Sequence, residues 1–275
     1  MKNELPKISV ITPNLNNSRF LERTILSVLN QNYPNLEYII IDGGSNDSSL
    51  NIIDRYSKKL AYFSSEKDSG IYEALDKGFS RSTGDILCWI NSDDIYWAES
   101  FSYVSKLFQE NSKLNWLQGY PSVIDEFDNL LFERDPVSSK MFFFLKLYEY
   151  DNSFIQQEST FWRRSLWEMA GSKVDFGFSL AGDFNLWMNF YKFSALSCSR
   201  RRLGAFRIRK GQQSSNIKQY LKECSESLDY HFDDLSAREK ILVKLYFTLP
   251  NLNFISQKIR TIIDKNWLFG SKYID

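Results

Sequence analysis

The sequence predicts an α/β fold, a central mixed and mostly parallel sheet flanked by helices, followed by a helical C-terminal extension. Three observations carry this expectation. Short β-branched runs alternate with amphipathic segments through the first half of the chain, the pattern of βα units around a sheet covered on both faces. One run, Tyr38 to Ile41, is apolar without interruption, which suits a buried strand. The runs also end repeatedly in loops rich in Asp, Asn, Ser and Gly, residues that favour turns and helix starts.

Ile8 to Thr12 forms the first expected strand, and Pro13-Asn14-Leu15-Asn16-Asn17 a breaker-rich loop. Ser18 is placed to cap a helix whose apolar Phe20, Leu21, Ile25, Val28 and Leu29 share one side, and Asn32-Tyr33-Pro34 stops it. Tyr38 to Ile41 leads into Asp42-Gly43-Gly44-Ser45-Asn46-Asp47, whose glycines permit tight turns, and a second helix runs through Leu50, Ile53 and Tyr56. Leu60 to Phe63 is the third expected strand, Ile71 to Phe79 a helix, and Asp85 to Ile90 a fourth strand ending in Asn91-Ser92-Asp93-Asp94. In open α/β sheets ligands sit outside the carboxyl ends of the strands, so Thr12 to Asn16, Asp42, Ser65 to Asp68 and Asn91 to Asp94 should converge on one crevice.

From about residue 115 the pattern is mixed, and parallel winding is expected to stop. Trp116-Leu117, Val123-Ile124 and Leu130 to Phe132 suit short strands, with Phe127-Asp128-Asn129 as a turn between the last two. Arg164 to Ala170 suits a short helix ended by Gly171, and Asp183 begins another through Trp187 and Tyr191. Residues 200 to 222 carry eight lysines and arginines with no acid among them. Beyond them the tail is helical, basic and aromatic.

Composition narrows the chemistry. The 34 basic and 34 acidic residues balance, so no bulk field draws the molecule to nucleic acid, and none is expected as a partner. His231 is the only histidine, and Cys88, Cys198 and Cys224 lack C-x-x-C spacing, which argues against zinc clusters and disulfide scaffolds and fits a reducing, cytosolic compartment. No apolar run approaches the roughly 18 residues needed to span a bilayer, and the N-terminus has no apolar signal core. An Asn-Ser-Asp-Asp loop at a strand end suits a hard divalent cation, Mg2+ or Mn2+, which takes oxygen ligands and leaves positions for substrate phosphates. Asp93 is the candidate ligand; the competing reading is a solvated turn in which Asp94 caps the next helix.

Four segments, taken together, resemble family 2 of the nucleotide-sugar glycosyltransferases. They are Val10-Ile11-Thr12-Pro13-Asn14-Leu15-Asn16, Ile41-Asp42-Gly43-Gly44-Ser45-Asn46-Asp47, Asp68-Ser69-Gly70-Ile71-Tyr72-Glu73-Ala74-Leu75-Asp76-Lys77-Gly78, and Asn91-Ser92-Asp93-Asp94, in the family's order. The likeness thins to Gln156 through Trp162, Ala181 through Trp187, and Phe206-Arg207 before Gln212 to Ser215. The resemblance implies the GT-A (Rossmann-like) fold over residues 1–215, with 1–115 the nucleotide-binding half and 116–215 the acceptor half, and a helical extension over 216–275. It implies that Asp42 and Asp68 recognise the nucleotide base with Thr12, Pro13 and Asn16, that Asp93 holds the metal and with Asn91 and Ser92 binds the donor, and that Asp183 is the acceptor-activating base. Two positions depart from the family's pattern: Asn91 replaces the acid that opens the metal motif, and Gly182 replaces a Glu before the base. Asn91 can still offer a neutral oxygen to the metal or bind the donor ribose.

The chemistry has its own logic. Displacing a nucleoside diphosphate needs charge stabilisation of the leaving group and a base on the acceptor hydroxyl. Asp183, at an expected helix start where backbone amides favour the carboxylate, can be that base or a plain helix cap. A single base without a nucleophile implies inversion. Lys77 can offset phosphate charge, as can part of the run Arg200-Arg201-Arg202, Arg207, Arg209 and Lys210, whose bland reading is a solvated face. Gln156, Glu158 and Trp162 are candidates to border a sugar acceptor, with burial the alternative for the aromatic.

The expected activity is inverting, metal-dependent transfer of a hexose from a nucleotide-diphosphate sugar to a glycan acceptor; the resemblance alone implies that this acceptor is carried on a polyprenyl diphosphate in surface polysaccharide synthesis. The alternatives are a sugar-nucleotide or glycan-binding module without turnover and a sugar-1-phosphate nucleotidyltransferase, which usually needs a glycine-rich phosphate loop that residues 13–17 lack. The basic, aromatic stretch from Leu242 to Phe269 can lie on the inner face of the cell membrane, pack on the catalytic domain or join a second subunit in a homodimer.

Overall fold

All seven residues from Ile8 to Asn14 are buried in the computed structural model, as the central strand of a sheet covered on both faces requires. The structure describes residues 4–209, 212, 216–248 and 273–275. The chain begins β1 (Ile8–Asn14), α1 (Ser18–Leu29), β2 (Leu36–Asp42), α2 (Ser49–Tyr56), β3 (Tyr62–Ser65), α3 (Ile71–Arg81) and β4 (Ile86–Trp89). It continues through β5 (Ile95–Tyr96), α4 (Ser100–Glu110), β6 (Trp116–Gln118), β7 (Ser122–Ile124), β8 (Leu130–Glu133), α5 (Lys140–Phe144) and α6 (Tyr148–Asp151). The remaining elements are β9 (Thr160–Arg163), α7 (Arg164–Met169), α8 (Gly182–Phe190), β10 (Ser197–Cys198), β11 (Gly204–Arg207), α9 (Ile217–Tyr230) and α10 (Ala237–Thr248).

The main sheet has seven strands in the order β10-β6-β9-β4-β1-β2-β3. β1 runs parallel to β2 and β4, and β2 parallel to β3. β9 then returns antiparallel between β4 and β6, but parallel pairing does not stop as the sequence predicts: β10 runs parallel to β6 and β11 parallel to β7, so the second half is mixed. A second sheet, β5-β11-β7-β8, stands beside it and contains the expected hairpin, with Asp128 in the left-handed region at φ 70° between β7 and β8.

Aromatic packing unites the two halves. The Trp187 ring stacks on Trp89 at 5.5 Å and on Trp116 at 5.8 Å, and Trp162 fills the angle between Trp89 and Trp187. Each of these rings is essentially fully buried, so the high aromatic content serves the core. The three cysteines are buried and unpaired. His231 is buried too, its imidazole bonded to Asp234 at 2.9 Å and Asn185 at 3.0 Å, where it ties the end of α9 to α8.

Three expectations are corrected. The third strand is Tyr62–Ser65 rather than Leu60 to Phe63, because Ser57–Lys59 closes a 3-10 turn first. Its register sets Ser65 opposite Asp42. Ser18 makes no side-chain cap; its backbone N–H donates to the Asp47 carboxylate at 2.9 Å, so α1 is capped from the neighbouring loop. Helix α4 and strand β9 were not anticipated; β9, Thr160–Arg163, has only two apolar residues, Phe161 and Trp162, too few for a periodicity to show. The amphipathic tail from Leu242 to Phe269 lies beyond Thr248 mostly outside the described residues. Among the described residues no helix is long and apolar enough to cross a membrane.

Candidate active site

The parallel register of β1 and β2 puts Asn14 beside Asp42 at the carboxyl edge of the sheet. Asp42 is fully buried and accepts five hydrogen bonds: from Asn14 Nδ2 (2.7 Å), the Ser45 hydroxyl (2.6 Å) and N–H (2.8 Å), the Gly44 N–H (3.1 Å) and the Ser65 hydroxyl (2.7 Å). Burial opposes its ionisation, but the bonds from Ser45, Ser65 and Asn14 outweigh that and hold the carboxyl below its usual range. A carboxylate has about four lone-pair sites, so Asp42 has no acceptor capacity left for a base. It shapes the 43–47 loop from behind instead. Thr12 is also withdrawn from the crevice, fully buried with its hydroxyl 3.1 Å from the Tyr38 hydroxyl. Pro13 is buried in β1 beside it.

Asn16 is exposed and left-handed at φ 50°, a conformation Asn tolerates. Its N–H donates to Ser45 Oγ and its side-chain oxygen accepts from the Asn46 N–H, both at 2.8 Å, so the first two loops form one surface. Asp68 completes that surface. A Cβ on Gly43 would stand 2.9 Å from Asp68 Oδ2, so the glycine is what lets the acid approach. Burial raises the Asp68 carboxyl above its usual range, the Gly70 N–H works against this, and nearby Asp42 adds a smaller upward push. Lys77 turns to Glu73, 2.8 Å away on the same helix face.

The 91–94 loop closes as a turn, with the Asp94 N–H donating to the Asn91 carbonyl at 3.1 Å, and Asn17 Nδ2 donates to Ser92 Oγ at 3.0 Å. Asp94 is buried and pushed well above the carboxylate range, first by burial and then by Glu158 and Asp93; it accepts from the Arg207 N–H at 2.8 Å and caps no helix. Asp93 is partly buried and accepts from Arg209 Nε at 2.5 Å. Among the described residues no cluster of three or more His, Cys, Asp or Glu could hold a metal. The donor set still fits a cation that takes phosphate oxygens for most of its shell. Asp93 already has a cationic partner in Arg209, and the buried Asn91 Oδ1 has no hydrogen-bond partner among the described residues.

Asp183 lies in the first turn of α8. Burial raises its carboxyl to about 6, against the lowering effect of the Phe184 N–H and the Tyr220 hydroxyl. The Tyr220 hydroxyl stands 3.5 Å from both carboxylate oxygens. A Cβ on Gly182 would come within 2.8 Å of the Tyr72 ring. The missing acid at that position is therefore the space the ring occupies. Tyr72 donates in turn to the Leu180 carbonyl at 2.5 Å, and Glu223 accepts from the N–H groups of Leu180 and Ala181 at 2.7 and 2.9 Å. A groove of about 470 Å³ opens between the 69–73 segment, Phe178, Leu180 and Gln219.

Two acceptor expectations become structural roles. Gln156 clamps Ser122 through both backbone groups at 2.9 and 2.7 Å, and Trp162 is core. Glu158 is buried with one oxygen unpartnered among the described residues, and burial raises it to about 7 with a further push from Asp183. The acids influence one another in two groups: Asp42 acts on Asp68, and separately Asp183 acts on Glu158 and Glu158 and Asp93 on Asp94. Tyr72, at the start of α3 after the Asp68 loop, borders Asp183. Asn14, Tyr220 and Glu223 were not foreseen as participants. The one available signal was that Tyr220 and Glu223, three residues apart on a helix, share a face.

A family model described as Glycosyl transferase family 2 matches residues 9–168. An uncharacterised glycosyltransferase of Rickettsia typhi is 24% identical over 242 residues, covering 87% of this chain and 76% of its own. The Bacillus subtilis protein named as a teichuronic acid biosynthesis glycosyltransferase, TuaG, is 32% identical over 123 residues, covering 44% of this chain and 49% of its own. The crystal structure of Staphylococcus aureus TarS (residues 1–349) in complex with UDP-GlcNAc superposes with a TM-score of 0.70 at 16% identity, over 93% of this chain and 75% of that one.

Proposed function

This chain belongs to glycosyl transferase family 2, and on that premise we propose that it moves a hexose from a nucleotide-diphosphate sugar to a hydroxyl of a glycan acceptor with inversion. It is a glycosyltransferase with the GT-A fold. The observation that carries the finer reading is Asp183: a half-buried carboxyl raised to about 6 and bordered by Tyr72, itself part of the groove wall that the 69–73 segment following Asp68 forms. A base whose pKa lies near the working pH is largely ionised yet accepts a proton as the hydroxyl becomes acidic in the transition state. No second carboxylate flanks it at Gly182, where the Tyr72 ring fills the space. One base acting on the acceptor, with no nucleophile on the sugar, gives inversion.

The donor reading assigns the nucleotide to the surface of Asn16, Gly43 and Asp68, with Asp42 fixing the loop beneath. The bound UDP-GlcNAc of TarS supports a nucleotide sugar as donor. Asp93 and Asn91 would hold Mg2+ or Mn2+, which when bound supplies positive charge to the departing diphosphate. The name of TuaG supports an acceptor from surface polysaccharide synthesis. A lipid-linked acceptor, a cytoplasmic location at the inner face of the membrane, contact through the basic tail and a homodimer extend that reading.

A thermal-shift screen of nucleoside diphosphates and their sugars with Mn2+ identifies the donor, because a ligand that binds only the folded form raises its stability. NMR of the product then reads the anomeric configuration. A retained configuration, or near-normal turnover by Asp183→Ala with a proven acceptor, refutes the proposal.

A further inference from the structure

Arg207 and Arg209 are two residues apart on an extended segment, so their side chains leave it on the same side. Both guanidinium groups lie over the Phe20 ring, at 5.1 and 5.7 Å, and both meet the 93–94 loop. Their engagement differs. The Arg207 side chain is 0% exposed, donates to the backbone carbonyls of Asp93 (2.5 Å) and Asp125 (2.8 Å), and pairs with Asp128. Those partners fix it as a brace of the loop. The Arg209 side chain is 24% exposed and meets the Asp93 carboxylate through Nε alone, at 2.5 Å. That is a single-point pair rather than the bidentate fork that makes arginine–carboxylate pairs strong.

We propose that Arg209 is an exchangeable internal cation: it neutralises Asp93 until a divalent cation binds there, then transfers to the donor diphosphate. This rests on the assignment of Asp93 as the cation ligand. Without Arg209, Asp93 would stand next to the buried acid Asp94 with no compensating positive charge paired to it among the described residues. Arg209 removes that cost. A divalent cation on the same carboxylate repels the guanidinium, and an incoming diphosphate offers the planar group a better, two-pronged acceptor. The Phe20 ring beneath it gives the guanidinium a cation–π contact that does not depend on Asp93. The consequence is order: the free enzyme resists the cation, and the cation enters with the donor.

The test is a Mn2+ titration of the full chain without nucleotide, reading free Mn2+ by electron paramagnetic resonance. Arg209→Gln is expected to tighten Mn2+ binding by at least about tenfold, since it removes both the competing ion pair and the repulsion. Arg209→Lys should gain less, and adding Asp93→Asn to Arg209→Gln should erase the gain. Unchanged Mn2+ affinity in Arg209→Gln overturns the proposal, as does a gain that survives loss of the Asp93 carboxylate. Arg209→Met, which keeps a stem against Phe20, repeats the comparison if Arg209→Gln does not fold. Failure of the underlying cation assignment is read separately, as sugar transfer undiminished by EDTA.

Discussion

Replacing Asp183 by Asn is expected to make the protein more stable while abolishing its chemistry. Burial raises this carboxyl from 3.8 to about 6 in the fold. Between those values the folded chain holds a proton that the unfolded chain has released. Stability present in acid is therefore lost as pH rises through about 6. A shift of about two units is worth at most about 3 kcal/mol, and relaxation around the ionised group brings the expected figure nearer 2 kcal/mol. An amide does not ionise, yet its oxygen still accepts from Tyr220 and the Phe184 N–H. Urea denaturation of wild type and Asp183→Asn at about pH 4 and about pH 8 measures the difference. The variant's advantage should grow by about 2 kcal/mol over that interval, while transfer falls at least about 100-fold. A difference that stays flat or shrinks with pH would show that burial does not oppose ionisation of Asp183, and the argument for a tuned base would fail.

Tyr220→Phe removes a hydroxyl that favours the ionised Asp183, so the acidic limb of the kcat/KM–pH profile should move upward by roughly half a unit, as expected for a long hydrogen bond to a charged group. An unmoved limb would reduce Tyr220 to packing. Gly182→Ala forces a Cβ against the Tyr72 ring at 2.8 Å. Overpacking of this kind costs about 1–3 kcal/mol, and the displaced ring should lower kcat as well, read by denaturation and steady-state kinetics.

The first half of the fold was legible because its strands are short apolar runs bounded by turn-forming residues, and β1, α1, β2, α2, α3 and β4 stand where that pattern puts them. β9 was hidden because its place between β4 and β6 is a long-range pairing that two apolar residues, Phe161 and Trp162, do not announce. The loops at the carboxyl edge were legible as a group, but the direction of each side chain was not. Asp42 and Asp68 look alike in sequence; one is turned inward by Asn14, Ser45 and Ser65, and the other remains half-buried above Gly43. Asp47 serving α1, and Tyr220 serving Asp183, join segments 29 and 37 residues apart, beyond the reach of local periodicity. Trp162 was open between ligand contact and packing, and its ring neighbours place it in the core.

The clasp between Glu223 and the backbone ahead of α8 bears on how such proteins can be recombined. The family match ends at residue 168, before the proposed base and before the helix that braces it. A chimaera joined at that border would exchange Asp183, Tyr220 and Glu223 together but would divide the groove, whose 69–73 wall lies on the other side of the join. One joined between α8 and α9 would part the two partners and should inherit the activity of neither parent.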